Sequence, residues 1–161
     1  MLTTKKDKLY PVSHKFILLI IDHASKYIMA IPTPRPTAEF TAEAILTKWV
    51  PIMGLFDNLI CDNGTHFRNK LMENICKRLQ INMRNAAPYN PRCNGLTEVN
   101  NKLLGTMLFR MTNERPELWN RYVDFVISAY NDSVHTTTKF SPIFFNFWAA
   151  FDAAGKRHLW I

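Results

Sequence analysis

Six consecutive apolar residues, Phe16 to Ile21 (FILLII), closed by Asp22, constrain this chain more than any other stretch. The run is short for a helix and lacks the alternation of a half-wetted strand, so it reads as a strand buried on both faces. A second apolar run, Tyr27 to Ile31 (YIMAI), follows the polar residues His23 to Lys26, and the two are expected to pair. The cluster PTPRP, residues 32 to 36, is expected to break the ladder, because proline has no N–H to give it.

From Thr37 to Val50 the apolar residues Phe40, Ala44, Ile45 and Trp49 recur at helical spacing. Thr37 suits the N-cap and Glu39 the positive end of the helix, while Pro51 and Gly54 are expected to end it. Leu59 to Cys61 reads as a short strand delivering Asp62, before the turn Asn63-Gly64. Leu71, Ile75 and Leu79 set the next helical stripe, and Ile81 to Arg84 a further strand. After a loop over 86 to 95, Val99, Leu103, Met107 and Met111 mark the inner stripe of a long helix. Another helix begins at Pro116, with Trp119, Val123, Val126, Ile127 and Tyr130 inward, and Phe140 to Trp148 makes a short last one. Strands alternating with helices imply an α/β layered domain with some parallel pairing.

The chain has 161 residues, 47% of them hydrophobic, which suits one compact domain. Residues 1–148 are expected to form it, with 149–161 as a C-terminal tail. A net charge of +7 would attract a polyanion, although charge alone is a weak pointer to nucleic acid. Cys61, Cys76 and Cys93 are odd in number and widely spaced, which argues against a disulfide framework or a CxxC metal site and for a reducing compartment. The run at Phe16 to Ile21 is too short to span a bilayer and has no cleavage site behind it.

Two acids invite a chemical reading. Open α/β sheets place ligands at the carboxyl ends of strands, where Asp62 falls. Glu98 falls on a helix rim, with Lys102 one turn later on the same face. Two carboxylates within about 4 Å repel by roughly 1–4 kcal/mol unless a proton or a cation intervenes. Such a pair can hold two divalent ions for phosphodiester chemistry, and hard oxygen ligands select magnesium or manganese. The plainer alternatives are that Asp62 is a turn former and Glu98 an ordinary first-turn acid.

Four motifs in order decide between these. ICDNGTHF, residues 60 to 67, resembles the second-acid motif of the integrase catalytic core of retroviruses and long-terminal-repeat (gypsy-like) retrotransposons. Thirty-five residues, 63 to 97, separate Asp62 from Glu98, the spacing of that family's aspartate and glutamate. PYNPRCNGLTEVNNKLL is similar to the family's active-site loop and glutamate helix, AYNDSVHTTTKFSP (129 to 142) to its C-terminal signature, and FILLIIDHASKYIMAIP to its early strand pair.

The resemblance implies a ribonuclease H-like fold, a mixed central sheet flanked by helices, here with its first strand truncated. It implies DNA integration: binding of retroelement ends and target DNA, metal-dependent 3′-end processing and strand transfer. Asp62 and Glu98 would be catalytic metal ligands for two Mg2+ or Mn2+ ions, and Tyr89, Asn94 and Lys102 DNA contacts. The plain readings beside these are surface packing for Tyr89, a turn before the helix for Asn94-Gly95, and a solvated face or an ion pair with Glu98 for Lys102. It also implies a homodimer, a nuclear setting and no membrane. The family's first acid falls at Met1, which would weaken metal capture; a catalytically impaired or co-opted core that binds DNA or protein partners is the alternative. Asp22 matches a non-catalytic position and is expected to end its strand. The family's N-terminal zinc-binding domain and C-terminal DNA-binding module have no counterpart here, so an isolated core is expected.

Overall fold

The computed structural model describes residues 14–61, 69–85, 91–113, 115–149 and 158–160. Among these residues the sheet has five strands, in the order β2-β1-β5-β3-β4. The two apolar runs form β1 (Phe16–Asp22) and β2 (Ile28–Thr33), antiparallel from Phe16 opposite Thr33 to Ile21 opposite Ile28. β3 (Asn58–Cys61) runs parallel to β4 (Asn82–Asn85). Between β1 and β3 lies β5 (His158–Trp160), antiparallel to β1 and parallel to β3. That part of the expected C-terminal tail is therefore a central strand of a mixed sheet.

Pro32 lies inside β2, contrary to the expectation that the proline cluster breaks the ladder. The reason is register. The Ile28 N–H donates to Asn131 Oδ1 at 2.9 Å, and the Ile28 carbonyl accepts from Asn131 Nδ2 at 2.8 Å, both on the side away from β1. Ile21 and Ile28 therefore exchange no backbone bonds, and by alternation neither do Ile17 and Pro32. The N–H that proline lacks would have faced the sheet's outer edge, where a strand tolerates it.

β1 is buried on both faces, as its composition predicted, and its alternation feeds two cores. Leu18 and Ile20 join Leu59 and Cys61 under α1 (Ala38–Ala44), α2 (Val50–Met53) and α3 (Lys70–Arg78), with Trp49, Met53, Met72 and Cys76 buried there. Leu19 and Ile21 join Ile28 and Ala30 on the opposite face. They pack against Leu104 and Leu108 of α4 (Pro91–Thr112) and Trp119, Val123 and Val126 of α5 (Trp119–Asp132). A short α6 (Pro142–Ala149) packs against α5.

Thr37 caps α1, its hydroxyl accepting from the Phe40 N–H at 3.2 Å. Pro51 does not end this helix. The chain widens into a five-residue π turn, Ile45–Trp49, continues as α2, and stops at Gly54, whose φ of 77° suits glycine. The wider turn falls where the α-helical ladder would need the N–H that Pro51 lacks. On α3 the buried residues are Met72 and Cys76, one position on from the expected stripe, and Leu71 is exposed. No helix among the described residues is long and apolar enough to cross a membrane.

Candidate active site

α4 starts at Pro91, five residues earlier than expected, because proline suits a helix's first turn, where its missing N–H has no partner to lose. Asn94 and Gly95 are thus helical rather than a turn ahead of the helix. Positions 94, 98 and 102 fall on a single stripe, four residues apart. The buried side of α4 is Asn100, Leu104, Leu108 and Thr112. Each step along a helix turns about 100°, so Glu98 and Lys102 point away from the sheet. Both side chains are exposed.

This corrects the expected inner stripe of α4. Val99 is 64% exposed, Leu103 41% and Met111 41%, and only Met107 is half-buried. The buried stripe lies one residue later and contains two polar residues. Thr112 satisfies its hydroxyl by donating to the Leu108 carbonyl at 2.9 Å.

Asp62 and Tyr89 lie outside the described residues, as do Met1 and the turn Asn63-Gly64. Cys61, the residue before Asp62, is buried at the carboxyl end of β3. Among the described residues no three His, Cys, Asp or Glu side chains stand close enough together to hold a metal ion.

Asp22 ends β1, as expected, and does more than stop a strand. Its carboxylate is buried and Oδ2 accepts from the Ser25 hydroxyl at 2.6 Å and the Ser25 N–H at 2.9 Å. These bonds lock the turn into β2, in which Lys26 adopts a left-handed φ of 63°. Asp22 also stands opposite Leu159, and Leu159 opposite Leu59, so Asp22 is level with a point two residues short of β3's last residue.

Two further residues carry structure that the sequence concealed. Asn131, in the stretch AYNDSVHTTTKFSP, clamps the edge strand β2 with both ends of its amide. The only sequence signal for that role is an amide following the apolar stripe of α5. His135 sits in a tight loop: its N–H donates to the Phe140 carbonyl at 3.0 Å, and its Nδ1 accepts from the Thr137 N–H at 3.2 Å. Burial and the nearby Lys26 ammonium together hold the His135 imidazole below its ordinary pKa. Burial likewise lowers the Lys26 ammonium, against the opposing pull of Asp22, and raises the Tyr130 phenol.

No protein-family model matches the chain. It is 25% identical over 127 residues to the transposon Tf2-3 and Tf2-4 polyproteins of Schizosaccharomyces pombe, a match covering 78% of this chain and 10% of each polyprotein. The chain thus spans about a tenth of the length of these curated relatives. Among solved structures, it superposes on a chain of the simian T-cell lymphotropic virus intasome in complex with the PP2A regulatory subunit B56 gamma. The TM-score is 0.73 at 22% identity, covering 91% of this chain and 52% of that one. The catalytic core domain of BIV integrase gives a TM-score of 0.71 at 23% identity, covering 84% and 88%. In sequence the chain is thus similar to transposon polyproteins, and it shares the ribonuclease H-like α/β fold of retroviral integrase catalytic cores.

Proposed function

We propose that the chain is the DNA-joining core of a retroelement integrase, which trims the 3′ ends of element DNA and joins them to a target strand. The observation that carries this reading is the exposed stripe of α4. Glu98 stands clear of the core, separated from Asp62 by thirty-five residues as the resemblance requires, and Lys102 follows one turn later. A lysine there offsets phosphate charge beside a metal-holding carboxylate.

Asp62 and Glu98 are the residues that would hold divalent ions, and their oxygen donors suit Mg2+ or Mn2+. Such ions supply activation of water or a hydroxyl and stabilisation of the leaving oxygen. The protein's own part is to hold the DNA in line, with Lys102, Asn94 and Tyr89 as backbone contacts that fix register without reading bases. The net charge of +7 supports a sequence-independent grip on DNA. In this reading the core works in the nucleus as a homodimer.

The test is a disintegration and strand-transfer assay with Mn2+, on the chain and on a version extended at its N-terminus with aspartate in place of Met1. Activity that rises with the added aspartate and is lost on Asp62→Asn and on Glu98→Gln is expected. Activity that persists at the unsubstituted level in either variant overturns the assignment. Light scattering checks the dimer, and a monomer at high concentration rejects it.

A further inference from the structure

The sheet divides into two halves. β2 pairs with β1 and β4 with β3, but among the described residues no pairing joins β1 to β3 directly. The joint is β5, level with Ile21 and Asp22 on one side and with Asn58, Leu59 and Ile60 on the other.

The two candidate acids are attached to different halves. Cys61 ends β3, so Asp62 leaves from the β3–β4 half. Glu98 rides on α4, whose Leu104 and Leu108 pack with Leu19, Ile21, Ile28 and Ala30 of the β1–β2 half, while β3 adds the half-buried Ile60 to that core. On the opposite face the helices cover both halves, through Leu18 and Ile20 of β1 and Leu59 and Cys61 of β3. Apolar packing of that kind is non-directional, whereas ladder hydrogen bonds fix which residues stand opposite each other.

Bonds at the two sides of the sheet set the direction of the backbone groups in the joint. Asn131 takes both backbone groups of Ile28 on the outer side of β2, so Ile21, opposite Ile28, turns its N–H and carbonyl toward β5. The Asn82 N–H donates to the Asp57 carbonyl at 2.8 Å, which by alternation turns Leu59 toward β4, and Asn58 and Ile60 toward β5. Trp160, opposite Ile21, therefore faces β1, and Leu159 directs its N–H and carbonyl to β3. One backbone position carries the centre of the β3 side.

We propose that Leu159 is a positioning residue for the metal-holding pair. Its backbone keeps the carboxyl end of β3 in register with β1, and so sets Asp62 against the half of the fold that carries Glu98. This role rests on the DNA-joining reading above and makes the C-terminal strand a condition for metal capture.

Amide hydrogen exchange and Mn2+ calorimetry on the full chain test it. Leu159→Pro removes the N–H that faces β3. Exchange at the Ile60 amide should quicken about tenfold or more, while exchange at the Ile28 amide, held by Asn131, stays within about twofold. Mn2+ affinity should fall about tenfold or more, as when a group that orients a metal ligand is lost. Leu159→Val keeps the N–H in a strand-forming residue and should leave both readings at the unsubstituted level. If the proline variant also loses protection at Ile28, Leu159→Gly weakens the strand more mildly, and its Ile60 exchange and Mn2+ affinity should change together. Unchanged Ile60 exchange in Leu159→Pro, or unchanged Mn2+ affinity in a folded variant whose Ile60 exchange has quickened, overturns the positioning role alone. Mn2+ affinity that is absent in the unsubstituted chain, or unchanged by Glu98→Gln, overturns the metal-holding reading beneath it.

Discussion

Replacing Asn131 by leucine tests how this fold protects its edge. The side chain is 3% exposed and meets Ile28, 2% exposed, through two hydrogen bonds of 2.8 and 2.9 Å. Leucine keeps the volume and removes both partners, which strands the Ile28 N–H and carbonyl away from water. Each buried group left unpaired costs about 1–3 kcal/mol, so the pair should cost about 2–6 kcal/mol. That is a large share of the roughly 5–15 kcal/mol that holds a domain of this kind together. Urea denaturation reads the loss directly, and hydrogen exchange at the Ile28 amide reads it locally. Asn131→Asp separates the two bonds. A carboxylate still accepts from the Ile28 N–H but opposes the Ile28 carbonyl, whereas a protonated acid restores the missing donor. Burial raises that acid's pKa above its unfolded value. Stability of Asn131→Asp should therefore be greatest at low pH relative to the unsubstituted chain and fall as pH rises through the folded pKa. A leucine variant that loses less than about 1 kcal/mol, with unchanged exchange at Ile28, refutes the clamp.

Four further outcomes follow from the same geometry. Glu98→Gln should abolish metal-dependent strand transfer and change stability by no more than about 0.5 kcal/mol, because the side chain is exposed; a coupled loss of stability in urea denaturation contradicts this. Lys102→Ala should weaken DNA binding alike for all sequences and reduce the slope of log affinity against log salt by about 1, read by titration at several salt concentrations. Ser25→Ala removes a 2.6 Å donor from the buried Asp22 carboxylate and should cost about 1–3 kcal/mol in thermal or urea unfolding. His135 has its folded pKa depressed, so it favours the folded state above the ordinary histidine pKa and that contribution is lost as pH falls through the folded value; His135→Gln should flatten this part of the stability profile.

Much of the sheet was legible because its signals are local. FILLII and YIMAI carry the composition of paired strands, and Thr37 caps its helix through a bond to a residue three positions on. β5 was not legible. Its three residues follow Lys156 and Arg157 with no alternation or turn chemistry, and they form a strand because a slot between β1 and β3 accepts them. Strand formation of that kind is set by neighbours rather than by propensity. Pro32 misled for a related reason: whether a proline can stay in a ladder depends on which way its missing N–H would face, and that follows from the position of Asn131, 103 residues from Ile28.

The reading of α4 failed by a rotation. Val99, Leu103, Met107 and Met111 make an unbroken apolar series, so the sequence offers them as the core face. The competing series Asn100, Leu104, Leu108 and Thr112 is half polar and loses on hydrophobicity alone. It wins in the fold because Leu104 and Leu108 reach the same core as Trp119 and Val123, and because Thr112 can be buried once its hydroxyl is spent on the Leu108 carbonyl. The expectation that Glu98 is exposed survives the rotation, since position 98 lies about 200° from position 100. What the rotation alters is the role of its neighbour: Val99, read as core, becomes the wall of a cleft. The distinction is chemical as well as geometric. With Val99 inside the core, the Glu98–Lys102 stripe would be a charged ridge suited only to backbone phosphate. With Val99 and Leu103 outside, the same helix carries a charged stripe and an exposed apolar stripe side by side.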